Sequence, residues 1–329
     1  MSFDVDSSVG SEPVHCPPVL FLIFNRPDLT ARVFARIREA QPRLLFVAAD
    51  GPRADRDGET ELCAVTRAIV DQGVDWNCEV KRLYRDANLG CKVAVSSAID
   101  WFFANVEAGV ILEDDCVPDL SFFPFCEQLL DRYRDDERIV CISGSSFQQK
   151  HADCAASYYF SIYNHWWGWA TWRRSWASYD VNMRSWAEVA DGNWLEKWIG
   201  TPDVARYWRT FFTSVHNGSF DTWDAQWALA CWLQHGLSIV PNGNLVSNIG
   251  CGVDATHTFN RDAPYSNLAS FPMTFPLIHP ELVIRNYGAD VVSAEMQEAI
   301  EREPTIWMRL RRLKYRAGRL IKGLFSLAS

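Results

Sequence analysis

The 329-residue sequence has no Gly-x-Gly-x-x-Gly after its first apolar run and no Gly-x-x-x-x-Gly-Lys-[Ser/Thr] anywhere. Without these glycine-rich turns, which carry backbone N–H groups against a pyrophosphate, dinucleotide oxidoreductases and P-loop enzymes are disfavoured. The ten cysteines include no Cys-x-x-Cys pair and no Cys/His ligand spacing, which argues against zinc. No apolar run reaches the roughly 18 residues of a membrane span. The first residues lack a basic stretch followed by an apolar one, so no signal peptide is expected. Cysteines without a secretion signal predict reduced thiols in the cytoplasm. Positive charge is also short: 32 Lys and Arg against 41 Asp and Glu leave a formal charge of −9, which argues against nucleic acid as a partner.

A hydrophobic content of 48% supports a substantial core, in one large domain or two closely packed ones. There are 15 tryptophans, most of them between Trp166 and Trp232. Indole faces stack on sugar C–H faces, and they equally fill cores.

Residues 1–17 are polar and read as a flexible leader. From Pro18 an alternation begins. Val19–Phe24, Leu44–Ala49, Glu79–Tyr84, Gly109–Leu112 and Arg138–Ser143 read as strands. A helix opening at Pro27, and helices over Glu61–Asp71, Lys92–Phe103 and Leu120–Tyr133, lie between them. Such alternation predicts an α/β fold with a mostly parallel sheet flanked by helices. After Gly144 the pattern loosens into an aromatic, turn-rich stretch over Tyr158–Trp172, a helix at Trp223–Leu233 and a short strand at Leu237–Val240. The expected organisation is 18–144 for nucleotide-sugar binding, 145–290 for acceptor and catalysis, and 291–329 as a basic C-terminal helix.

Polar residues fall where the strands end: Asn25-Arg26, Asp50-Gly51, Arg85-Asp86 with Asn88, and Glu113-Asp114-Asp115. In a parallel sheet these emerge at one edge, where open α/β sheets bind ligands. Three adjacent carboxylates repel one another unless they are solvated or share a hard divalent cation, which would keep diphosphate oxygens and waters as further ligands. A solvated loop before a helix is the alternative.

The Asn-Arg after the first strand, the Asp after the second, and Val110-Ile111-Leu112-Glu113-Asp114-Asp115 followed by Pro118, Phe122 and Phe123 resemble the N-acetylglucosaminyltransferase I family. Phe24-Asn25-Arg26-Pro27, Asn88-Leu89-Gly90-Cys91-Lys92 and Gly168-Trp169-Ala170-Thr171-Trp172-Arg173-Arg174 resemble bacterial nucleotide-diphospho-sugar transferases. The likeness covers roughly residues 18–257. It implies a GT-A-like fold, a nucleotide-sugar donor with UDP-sugars favoured, and manganese or magnesium. By resemblance, Asp115 is the metal ligand, Glu113 and Asp114 contact sugar and ribose, Arg26 meets the diphosphate, Asp50 the base, and Asn25 and Lys92 the donor. Arginine suits phosphate oxygens and a carboxylate can accept from a uracil N–H.

Thr222-Trp223-Asp224-Ala225-Gln226-Trp227 resembles the family's Trp-Asp segment. It makes Asp224 the expected base that takes the acceptor hydroxyl proton in an inverting transfer, with Asp221 as the fallback; an N-cap role for Asp224 is the alternative. Golgi members carry a second Asp at the position of Ala225. His257, after the glycines of Asn248–His257, is a candidate for metal or phosphate, or is structural. Trp167 and Trp169 are the expected acceptor platform. The function these implications support is sugar transfer to a glycan or lipid-linked glycan hydroxyl in surface polysaccharide or glycolipid synthesis. A nucleotidyltransferase and a catalytically inactive binding module on the same fold are the rivals.

Beyond Glu303 the sequence carries seven Lys and Arg and no acid, which leaves −16 on the remainder. Trp307, Leu310, Leu313, Ile321, Leu324 and Phe325 interleave with these cations, the pattern of a helix lying in a membrane interface. Packing on the acidic body is the alternative. The tail is expected to hold the enzyme peripherally on the inner face of an anionic membrane, each basic residue adding about 1 kcal/mol near the surface. Co-sedimentation with anionic vesicles tests this: the full chain is expected to pellet, and a chain truncated after Pro304 is expected to fold and stay in solution.

Overall fold

A computed structural model describes residues 16–148, 155–250 and 267–301, with side chains to 295. Most of the expected leader, His257 and the basic tail lie outside the described residues.

The strands are β1 (Val19–Ile23), β2 (Leu44–Ala49), β3 (Glu79–Tyr84), β4 (Ala108–Glu113), β5 (Cys116–Pro118), β6 (Ile139–Ser143), β7 (Tyr158–Ser161), β8 (Trp169–Trp172), β9 (Leu237–Pro241) and β10 (Val246–Asn248). The helices are α1 (Pro27–Ala40), α2 (Glu59–Gly73), α3 (Gly90–Asn105), α4 (Phe122–Arg132), α5 (Arg173–Trp176), α6 (Trp186–Val189), α7 (Trp194–Ile199), α8 (Pro202–His216), α9 (Asp224–Leu233) and α10 (Tyr287–Glu301). Eight strands form one sheet in the order β3-β2-β1-β4-β8-β6-β9-β7. Pairing is parallel for β1–β2, β1–β4, β2–β3 and β6–β9, and antiparallel wherever β8 or β7 takes part. The mostly parallel, helix-flanked α/β sheet expected of a GT-A-like fold is therefore present, and both halves of the chain contribute strands to it.

β1 shows why. Its sequence, Val-Leu-Phe-Leu-Ile, is buried throughout, as a strand covered on both faces must be. Val19, Phe21 and Ile23 join the core on the α1 and α4 side, with Val33, Phe34, Phe122 and Leu129. Leu20 and Leu22 point the other way, into a core with Phe102 of α3, Phe212 of α8 and Trp227 and Trp232 of α9. α1 starts on Pro27, whose fixed φ suits a first helical position, and ends where Gln41 turns left-handed. β3 is an edge strand, and its Glu79, Lys81 and Arg82 protect that edge by charge.

The stretch Tyr158–Trp172 departs from the turn-rich expectation. Its two ends form β7 and β8, and β8 enters the middle of the sheet, where Ile111 and Ser143 both pair with Trp169. Both faces of β8 are covered, so its side chains show no alternation for a reader of the sequence to find. α8 has no counterpart among the helices expected from the sequence, and it buries Val204, Ala205, Trp208, Phe212 and Val215 along one face. No helix among the described residues is long and apolar enough to cross a membrane.

His165, just before β8, is buried at 4% exposure, its ring edge-on to Phe147 and its Nε2 3.3 Å from Ser293 Oγ. Burial depresses its pKa from 6.5 to about 4. The fold therefore favours neutral histidine. The stability this provides is complete above pH 6.5 and is lost as pH falls towards 4, by up to about 3 kcal/mol. Urea denaturation at several pH values should show this extra slope in the native protein and not in His165→Asn.

Candidate functional site

Six parallel strands end at one edge, and β8, running the opposite way, begins there. Arg26 follows β1, Asp50 follows β2, and Asp114-Asp115 follow β4. The Arg26 guanidinium is clasped by the acids. Nε donates to Asp114 Oδ2 at 3.2 Å, Nη2 donates to Asp114 Oδ1, and Nη2 lies 3.0 Å from Asp115 Oδ2. Desolvation alone would lower the basicity of Arg26; Asp114 and Asp115 outweigh it, and the net pKa is raised. Nη1 has no partner among the described residues, and 23% of the side chain stays exposed.

The acids remain in excess. Desolvation, then Asp115 and Asp114, push Glu113 well above the usual carboxylate range; Arg26 opposes this and Asp224 adds to it. Asp114 is pushed up to about 6 by desolvation and Asp115, against the pull of Arg26. Glu113 thus feels the charge of Asp224, a residue more than a hundred positions away, and Asp224 lies at the start of α9. Burial, and after it the charges of Glu113, Asp224 and Asp221, raise the thiol pKa of Cys91 in the first turn of α3. A Cβ on Gly90 would sit 3.5 Å from Asp221 Oδ2. The acidic triplet, Asp221 and Asp224 therefore converge around the first turn of α3.

Asp224 is held in place. Thr222 Oγ1 donates to its Oδ1 at 2.5 Å, and the Ala225 N–H donates to the same oxygen at 2.7 Å. Gln226 Nε2 in turn donates to the Thr222 carbonyl at 2.8 Å.

Asp50 is committed to the protein's own backbone. Its carboxylate accepts from the backbone N–H groups of Gly51, Leu89 and Gly90 at 2.9–3.2 Å and from Asn88 Nδ2 at 2.9 Å. It thereby satisfies N–H groups at the start of α3 and fixes the Asn88–Gly90 turn. Asn25 Nδ2 donates to the buried Glu59 at 2.9 Å, which also binds Arg53. Lys92 is half-buried in the first turn of α3 and has no ion pair among the described residues.

The small sheet β5–β10 aligns Asn248 with Cys116, bringing Asn248 Nδ2 to 3.4 Å from Asp115 Oδ1. Gly250 crosses so close that a Cβ there would overlap the Asp115 carboxylate. The glycines after Asn248 were the sequence signal for a close approach; the partner, Asp115, was not readable. Trp169 corrects the acceptor-platform expectation. It is 1% exposed, stacked on Trp223 at 5.7 Å and enclosed by Trp176 and Trp227, so no acceptor can lie on it. Trp166 and Trp167 remain half-exposed at the same edge.

Among the described residues no group of three or more His, Cys, Asp and Glu is arranged to hold a metal ion. The residues nevertheless fit a magnesium- or manganese-type ion bound largely through substrate phosphates. Asp115, a partly exposed carboxylate at the strand ends, would supply the protein oxygen, and substrate phosphates and waters the rest.

No protein-family model and no curated protein matches the sequence. Among solved structures, the chain is similar to a mannosyltransferase from Pyrobaculum calidifontis, solved in complex with GDP-Man and Mn2+. That match has 18% identity and a TM-score of 0.35, and covers 49% of this chain and 46% of that one. The chain thus spans under half of that enzyme's length. It is also similar to 4-diphosphocytidyl-2C-methyl-D-erythritol synthase from Anaerococcus prevotii, at 8% identity and TM-score 0.27, over 49% and 74% of the two chains. A third similarity is to mouse xyloside xylosyltransferase 1, at 9% identity and TM-score 0.29, over 66% and 82%. At these scores the likeness assigns no activity to this chain.

If Asp50 serves mainly to hold the α3 start, Asp50→Ala should destabilise the protein by about 1 kcal/mol, as loss of a helix cap does. Thermal denaturation without ligand measures this. An unchanged melting temperature would return Asp50 to a purely ligand-binding role.

Proposed function

We propose that this protein is a metal-dependent glycosyltransferase that moves a sugar from a nucleotide-diphosphate donor to a glycan hydroxyl with inversion. A UDP-sugar is the favoured donor, a glycan or lipid-linked glycan of surface polysaccharide or glycolipid synthesis the acceptor, and the transferred unit a hexose or N-acetylhexosamine. The observation that supports this reading is the cluster at the strand ends, where Arg26 binds Asp114 and Asp115, and Asp221, three residues before Asp224, lies 3.5 Å from a Cβ built on Gly90 at the start of α3.

In this reading Asp115 holds the cation together with donor phosphates, and His257 is a further candidate ligand. When bound, the ion neutralises charge on the leaving diphosphate. Arg26 keeps Asp114 and Asp115 oriented and offers Nη1 to a phosphate oxygen. Glu113 is assigned to the sugar and ribose, and Asp114, buried at 3% exposure, reaches the donor side through Arg26. Asn25, the turn held by Asp50, and Lys92 line the donor side. Asp224, oriented by Thr222, takes the acceptor proton as the acceptor oxygen bonds to the anomeric carbon and the carbon–phosphate oxygen bond breaks. Trp167, half-exposed beside the start of β8, serves the acceptor.

Two variants separate binding from chemistry. Asp115→Asn should abolish manganese-dependent UDP binding in isothermal titration while the fold persists. Asp224→Asn should keep donor affinity and lower turnover about 10²–10⁴-fold, the range for loss of a general base. Normal turnover by Asp224→Asn would shift the role to Asp221. UDP-sugar binding with no transfer to any acceptor would favour an inactive binding module.

A further inference from the structure

Seven of the eleven exposed large hydrophobic residues among the described residues come from one stretch of 21: Phe271, Phe275, Ile278, Leu282, Ile284, Tyr287 and Val291. Singly scattered apolar residues need no explanation, but a contiguous set does. The stretch is firmly attached. Phe271 N–H donates to the Asn244 carbonyl at 2.7 Å and Ser157 N–H to the Ile278 carbonyl at 2.7 Å; Asn286 N–H donates to the Phe160 carbonyl at 2.7 Å. Tyr158 hydroxyl pairs with His279 Nδ1 at 2.9 Å, and Arg285 pairs with the buried Asp290 at 2.5 Å. Between these anchors the chain alternates. Leu277, His279, Val283 and Arg285 turn inward, while Ile278, Leu282 and Ile284 are 58–66% exposed. The stretch follows the β7 edge of the sheet, beginning near Ser121 and Asn244, on the side of the candidate site.

Two features identify what covers this ridge. Residues 267–280 contain no Asp, Glu, Lys or Arg, in a chain that is 22% charged. After α10 the sequence runs on for 28 residues, where tryptophan, leucine and phenylalanine interleave with eight cations and a single acid, Glu303. An apolar ridge whose one exposed charged side chain is Glu281, Arg285 being paired with the buried Asp290, and which is joined in sequence to a basic amphipathic segment, has the chemistry of a surface that enters a lipid headgroup layer. We propose that the ridge Phe271–Val291 is a membrane-docking face, seated on an anionic bilayer together with the tail. The ridge supplies the apolar contact and the tail the charge, so the site edge is held beside the lipid surface. This assignment is independent of which reaction the site performs.

Vesicles of phosphatidylcholine and phosphatidylglycerol test it with the full chain. The double variant Leu282→Asp/Ile284→Asp should lower the partition coefficient at least about tenfold, the factor expected when a large apolar side chain is withdrawn from a nonpolar environment. In the uncharged variant Leu282→Ser/Ile284→Ser the loss should be the same at low and high salt. Arg311→Glu/Arg312→Glu should weaken binding at low salt only. Both side chains in the first variant are exposed, so its melting temperature should match the native protein; Leu282→Ser/Ile284→Ser repeats the test with a milder change. Native chain that ignores the vesicles, or ridge variants that bind as well as native chain, overturns the proposal. So does a native dimer in sedimentation velocity that the ridge variants dissociate, because the occupant would then be a second copy.

Discussion

One guanidinium, Arg26, has to satisfy two carboxylates at the end of β4. β1 and β4 are neighbours in parallel register, with Leu22 opposite Glu113, so the residues just beyond them must meet. Without the arginine, Asp114 at 3% exposure would be a buried anion with no counter-charge, a costly arrangement. With it, Asp115 is fixed against Asn248 and Gly250, and β10 is brought to β5. The acidic triplet, the late glycine loop and the first strand are therefore organised by a single cation that is itself only partly exposed.

Behind this edge lies an aromatic wall. Trp169, Trp176, Trp223 and Trp227 pack against one another at 5.2–6.3 Å between ring centroids, and Tyr179 stacks on Trp176 while donating to the Trp223 carbonyl at 3.1 Å. The backbone that presents Asp224 is thus braced by large, stiff side chains. Tryptophans that suggest a sugar platform in the sequence serve here mainly to hold a carboxylate still.

The first half of the fold was legible because its physics is local. Val19–Ile23, Leu44–Ala49 and Glu79–Tyr84 each announce a strand by composition, and each polar cluster directly follows one. The helices there were readable to within about two residues at each end. The second half depends on distant partners. β8 is a strand because β4 and β6 leave a gap for it, and nothing in Trp-Ala-Thr-Trp states this. For the site, the triplet and Asp224 could be singled out by residue type and resemblance. The hydrogen bonds that commit Asp50 to the start of α3 could not, because they depend on how close one loop passes to another. Trp169 misled for the same reason: composition does not say which of several neighbouring indoles faces solvent.

The place of β8 also shapes how the chain leaves the ribosome. β1, β2, β3 and β4 can assemble as soon as they emerge, but the free side of β4 must wait for Trp169–Trp172, about 55 residues later. At about 5–20 residues per second that interval lasts about 3–11 s. Throughout it a buried-type strand, Ala-Gly-Val-Ile-Leu-Glu, presents open backbone N–H and C=O groups to its surroundings. Nascent chains that stall between Asp114 and Trp169 carry this unpaired edge, and protection of one open strand during those seconds is the demand that the topology places on the cell.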